Sequence, residues 1–142
     1  MKLAEAMKEK SRLKKKIAGL KEELEQAVQV TDELGIKAKD LLLDLEESLR
    51  RMDRLSAAIY HTNDLVRDEG KTLTRLVCTR DALFFRLELY KKLLQLSGNA
   101  GNPSLSGLDI PGLQDRVQRT KEEIRTLSDR IQKASWTIDL ID

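Results

Sequence analysis

The chain has 142 residues, 35% of them charged, a formal net charge of +2 and only five aromatic side chains. That is one domain's worth of polypeptide, and its mixture of Leu, Glu, Lys and Arg excludes a thick globular core. It reads instead as an all-α protein of long helices with narrow apolar seams. The single cysteine, Cys78, excludes an intrachain disulfide framework and fits a cytoplasmic protein. The opening MKLAEAMKEKSRLKKK lacks the apolar centre of a signal peptide. No apolar run approaches the roughly 18 residues that a membrane span needs.

The first helix is expected over about 2–32, roughly 45 Å long at 1.5 Å per residue. Leu3, Ala6, Lys10, Leu13, Ile17, Leu20, Leu24 and Ala27 alternate at spacings of three and four, the a/d seam of coiled-coil packing. Thr31 to Gly35 reads as the turn, with Gly35 as its C-terminal cap. A second helix is expected over about 36–61, burying Leu41, Leu42, Leu45, Leu49, Met52, Leu55 and Ile59.

Residues 62–71 form a corner. Thr62 and Asn63 are expected to close the second helix, Gly70 to permit the turn and Thr72 to cap the next helix. The third helix, about 72–97, turns Leu73, Leu76, Val77, Leu83, Phe84, Leu87, Tyr90 and Leu94 inward. Arg80 falls in the middle of its seam, where a guanidinium must be hydrogen-bonded or reach solvent. Asp81 cannot serve it from its own helix face. Candidate acceptors are the Asn63 side chain, carbonyls freed at the end of the second helix, or an acid from another subunit. The alternative is a snorkelling Arg80 at a subunit boundary.

Residues 97–111 hold Gly98, Gly101, Gly107, Pro103 and Pro111, and read as a loop. The fourth helix, about 112–135, again has a heptad seam: Leu113, Val117, Thr120, Ile124, Leu127, Ile131 and Ala134. The tail, 136–142, alternates apolar and polar residues, as an extended arm would. With no sheet expected inside the chain, that arm is expected to dock on a partner. The whole is expected to be a single domain, a long helical hairpin plus two further helices arranged like a four-helix bundle.

Charge is uneven along the first hairpin. Residues 1–21 carry eight Lys or Arg against two Glu, and residues 22–47 carry nine acids against two Lys. Folding the first helix back on the second then sets like charges against each other at both ends. Relief by a second copy packed acidic end to basic end would steer homo-oligomerisation, which thin helical stripes favour in any case. The plainer reading is a set of solvated faces, where exposed pairs contribute under about 1 kcal/mol each. The basic start also suits nucleic acid or an anionic membrane, but no aromatic interleaves with those lysines to stack on bases.

Chemistry is hard to find. His61 and Cys78 are the only residues of their types and fall on different expected helices, so neither a transition-metal site nor a Cys–His dyad is expected. Glu22–Glu23, Glu46–Glu47 and Glu122–Glu123 are sequence neighbours that point in different directions on a helix. Glycine-rich phosphate loops are absent. No catalytic, metal, cofactor or small-molecule site is expected, and the chain reads as non-enzymatic.

Several residues together resemble the bacterial septicolysin family: Ile59, Thr62, Asn63, Gly70, Thr72, Leu73, Arg80, Asp81 and Leu83, then Ile131, Gln132, Trp136 and Thr137. The opening twenty residues are similar to that family as well, while 97–111 departs from it. The resemblance implies a small, mostly helical protein building ring-like homo-oligomers, with a hexamer as the leading copy number. Its name also implies a membrane-active cytolysin as an alternative. A nucleic-acid-binding adaptor using Lys8 to Lys21 is the other.

Overall fold

The computed structural model describes residues 1–29, 35–99 and 107–142. The protein is all-α, four helices in two hairpins: α1 (Leu3–Val28), α2 (Gly35–Leu65), α3 (Leu73–Asn99) and α4 (Ile110–Thr137). Two short strands, β1 (Arg67–Asp68) and β2 (Lys71–Thr72), join α2 to α3. The chain divides into two compact units, Met1–Val66 with Ser135–Asp142, and Arg67–Ala134.

In the first unit, α1 buries the seam expected of it. Leu3, Ala6, Leu13 and Ala27 are buried, and Lys10, Ile17, Leu20 and Leu24 lie half-buried between them. The α2 seam differs from expectation. It runs through Leu41, Leu45, Ser48, Met52, Leu55, Ile59 and Thr62, spaced four, three, four, three, four and three. Leu42 and Leu49 stand off it, 44% and 42% exposed. The clustered leucines at 41–45 offered two stripes, and the buried one continues through a serine and a threonine.

The expected clash of like charges is also absent from the hairpin's cross-helix pairs. Lys16 Nζ lies 3.2 Å from Asp44, and Arg51 lies 3.0 Å from Glu9. Net charge summed over a segment says little about which side chains face each other, and the register sets single acids opposite single bases. Gly35, expected as a cap, is the first residue of α2; the remainder of the expected turn lies outside the described residues.

The corner is a β-hairpin. Asp68 pairs with Lys71 and Arg67 with Thr72, leaving Glu69 and Gly70 as the two-residue turn. Both have positive φ, 50° and 82°, as a type I′ turn requires. Glycine accepts that geometry freely, whereas Glu69 holds it at a steric cost. Arg67 Nη1 donates to the Gly70 carbonyl at 2.9 Å and braces the turn. Thr72 Oγ1 accepts from the Arg75 amide at 3.1 Å and caps α3.

In the second unit, the α3 seam runs through Leu73, Leu76, Arg80, Leu83, Leu87, Tyr90, Leu94 and Ser97, all buried or half-buried. Phe84, expected inward, is 45% exposed, because its position lies beside that seam. The α4 seam, Leu113, Val117, Thr120, Ile124, Leu127 and Ile131, is buried at every position. Parts of the expected 97–111 loop are helical, since α3 reaches Asn99 and α4 begins at Ile110; residues 100–106 lie outside the described residues. Among the described residues no helix is long and apolar enough to cross a membrane.

Candidate functional site

The residues singled out in the sequence separate into three places. The first is a clasp in the first unit, built on Thr62. α2 continues to Leu65, so Thr62 and Asn63 do not close it but sit inside its last turns, Thr62 fully buried and Asn63 half-buried. The Thr62 hydroxyl donates to the Ala58 carbonyl at 2.8 Å and accepts from the Ile141 amide at 2.8 Å. A threonine hydroxyl can do both at once. The C-terminal tail is thereby fastened to α2.

That tail does not need a second chain to dock on, contrary to expectation. Asp139 forms an isolated antiparallel bridge with Lys2. The Leu3 amide donates to the Ile138 carbonyl and the Leu140 amide to the Met1 carbonyl, both at 2.9 Å. Leu3 opens α1, so the tail supplies an acceptor for one of the amides that a helix N-terminus leaves unpaired. Glu5 takes the preceding amide, accepting from Lys2 N at 2.7 Å.

Side chains reinforce the same place. Lys2 Nζ lies 2.8 Å from Asp139 and reaches the Thr137 carbonyl at 3.4 Å. Trp136, 43% exposed near the end of α4, lies under Lys8 at 4.5 Å. The hydrogen bond from Lys2 holds the Asp139 carboxyl below the usual carboxylate range. Glu9 is lowered too, first by its hydrogen bond from Arg12, with the charges of Arg12 and Arg51 adding to it. A cavity of about 540 Å³ lies nearby, lined by Arg54, Ala57, Ala58, His61 and Asp142.

The second place is the turn end of the second unit. Arg130 of α4 donates through Nε and Nη2 to Asp68 Oδ2 at 3.1 and 3.0 Å, and approaches Glu69 at 3.2 Å. A fork of this kind fixes the turn on α4. A groove of about 500 Å³ runs between Thr79 and Leu83 of α3 and Arg119, Thr126 and Arg130 of α4. Its two arginines are engaged, Arg130 as above and Arg119 with Asp115 at 2.5 Å.

The third place is α3 itself. Arg80 lies in the inner seam, and its Nε is buried with no hydrogen-bond partner among the described residues. Neither the Asn63 side chain nor a carbonyl at the end of α2, the acceptors expected from within the chain, is engaged at that atom. Asp81 is exposed beside Phe84, Phe85 and Glu88 around a shallow cavity of about 310 Å³. Cys78 is exposed and free. The outward side of the helix is more apolar than the sequence reading allowed: Phe85 is 72%, Leu89 54% and Leu96 53% exposed. Their heptad spacing was available in the sequence but lay behind the stronger inner seam. Among the described residues no three His, Cys, Asp or Glu side chains converge as metal ligands would.

Two helical hairpins without a convergent catalytic cluster among the described residues define the class as a small all-α helical protein. Residues 10–140 match a family of unknown function, DUF6847, and the chain belongs to that family. It is also similar to a functionally unknown conserved protein from Corynebacterium diphtheriae, known from a crystal structure. The two share 25% sequence identity and a TM-score of 0.90, over 99% of each chain. No curated protein matches the chain. Neither match carries the septicolysin name.

Proposed function

We propose that this protein is non-enzymatic and works by self-assembly, as a closed homo-oligomer. The observation that carries this reading is the apolar outer side of α3, where Phe85, Leu89 and Leu96 stand more than half exposed on one helix. A helix that is apolar on both sides is one whose outer side is covered in the working protein. The likeness to septicolysins supplies the ring and the leading copy number of six.

The nucleic-acid reading is weakened by how several of the basic residues at the start of α1 are occupied, although Lys14 and Lys15 are exposed. Lys2 engages Asp139, Arg12 engages Glu9 and Lys16 engages Asp44, while Lys8 and Lys10 sit over Trp136 and Tyr60. A cytolysin acting at a membrane surface remains the alternative that the family resemblance implies. Native mass spectrometry at low micromolar protein is expected to show one discrete oligomer. Monomer at every ionic strength, including the lowest, would overturn self-assembly. Dye release from anionic liposomes by that same preparation would favour lysis, and intact vesicles would count against it.

A further inference from the structure

The outer side of α3 is a second heptad seam. Cys78, Ala82, Phe85, Leu89, Lys92 and Leu96 follow one another at spacings of four, three, four, three and four, and every one is exposed. The spacing assigns Ala82, Leu89 and Leu96 to a positions and Cys78, Phe85 and Lys92 to d positions. The flanks are then fixed. Asp81 and Glu88 occupy g positions on one side, and Arg86 occupies an e position on the other.

We propose that this seam is where a second copy of the chain docks, with the two α3 helices parallel and in register about a two-fold axis. The inference rests on the self-assembly reading and adds the surface, the direction and the register. The flanking charges favour the parallel direction. In a parallel pair each g position faces the e position five residues on in the partner helix, which sets Asp81 against Arg86 of the other copy, twice by symmetry. In an antiparallel pair g faces g, so Asp81 and Glu88 would crowd the same acids of the second copy.

Lys92 is the one charged residue in the seam, and the in-register pair sets it opposite Lys92 of the second copy, a like-charge contact that works against the pairing. Glu88, four residues earlier on the same helix, has the spacing and order that suit an ion pair with it. The seam spans about 27 Å at 1.5 Å per residue, too short to hold two free peptides together. Here α3 is already ordered within its own hairpin, so pairing requires no further folding. A two-fold contact makes pairs, and a ring of six would contain three of them.

Cys78 is a built-in probe of register, since an in-register parallel pair brings the two d-position cysteines face to face. Disulfide formation needs Cα atoms within about 4.4–6.8 Å. Mild oxidation of the full-length protein with diamide, which accepts the two electrons and two protons released by the thiols, is expected to give a Cys78-linked dimer on non-reducing gels. Asp81→Arg or Arg86→Asp alone should slow cross-linking about five- to tenfold, and the double exchange should restore it. Cys78, Asp81 and Arg86 are all exposed, and far-ultraviolet circular dichroism checks that each variant stays helical. An oligomer by native mass that yields no Cys78 cross-link would overturn this seam while leaving self-assembly standing through another face. A monomer that yields none would overturn both.

Discussion

Thr62 and Arg80 each place a polar group in a heptad seam, one in each compact unit, and they are treated differently. The Thr62 hydroxyl is fully buried, donating to Ala58 and accepting from Ile141. Arg80 Nε is buried with no partner among the described residues. The first unit has its cross-helix charges paired and its two termini joined by backbone hydrogen bonds. In the second, α3 presents Phe85, Leu89 and Leu96 to solvent. The contrast lies in the two seams, one whose polar group is satisfied by the chain's own backbone and one whose guanidinium Nε is not; exposed apolar side chains occur in both units, Ile36, Leu43, Tyr60 and Leu65 on α2 among them.

The largest effects set the scale. Leu3 and Leu73, at 0% and 1% exposure, are the buried openings of α1 and α3. Truncating either to Ala is expected to cost about 2–5 kcal/mol in urea unfolding. Thr62→Val comes next. It keeps the volume but leaves the Ile141 amide without its acceptor, for about 1–3 kcal/mol. Hydrogen exchange at Ile141 should accelerate in that variant, and unchanged protection would remove Thr62 from the clasp.

Arg80→Met is expected to do the opposite of Thr62→Val. Replacing an unpaired buried donor by an apolar side chain of similar length should leave urea stability within about 1 kcal/mol of the parent, or raise it. A loss of several kcal/mol would mean that Arg80 makes a stabilising contact, and the contrast between the two seams would fail.

The smallest effect is a pH step at the termini. Asp139 and Glu9 have folded-state pKa values lowered by hydrogen bonds from Lys2 and Arg12 respectively. Their contribution is therefore fully present above the ordinary carboxylate range. It is lost as pH falls through the lowered folded values, below about pH 4. Trp136, the sole tryptophan, stands three residues before Asp139 and against Lys8 of α1, so its emission reports on this end of the unit. Its emission should shift on acidification below that point, and Asp139→Asn should remove much of the step. A full-sized step in the variant would assign the change to other carboxylates.

The helices and three of the four seams were legible in the sequence because heptad spacing is a local signal that packing rarely overrides. α2 was misread where it mattered. Leu42 and Leu49 outweighed Ser48 and Thr62 in an apolar count, yet small polar residues can occupy a seam when their hydroxyls find backbone partners. The hairpin at 67–72 had only Glu69–Gly70 as its signal, a weaker turn pair than Asn-Gly or Asp-Gly. The clasp was not legible at all. It joins Met1–Leu3 to Ile138–Leu140 through backbone groups, and no spacing rule links segments at opposite ends of a chain. The second seam of α3 has the required spacing in the sequence, but only exposure distinguishes it from the inner one.

Native mass spectrometry of the unmodified protein beside Phe85→Glu tests the central claim most directly. The account predicts a discrete oligomer for the parent and smaller species for the variant, with helix content unchanged. A parent that is monomeric at every concentration and salt, or a variant that assembles as the parent does, would contradict it.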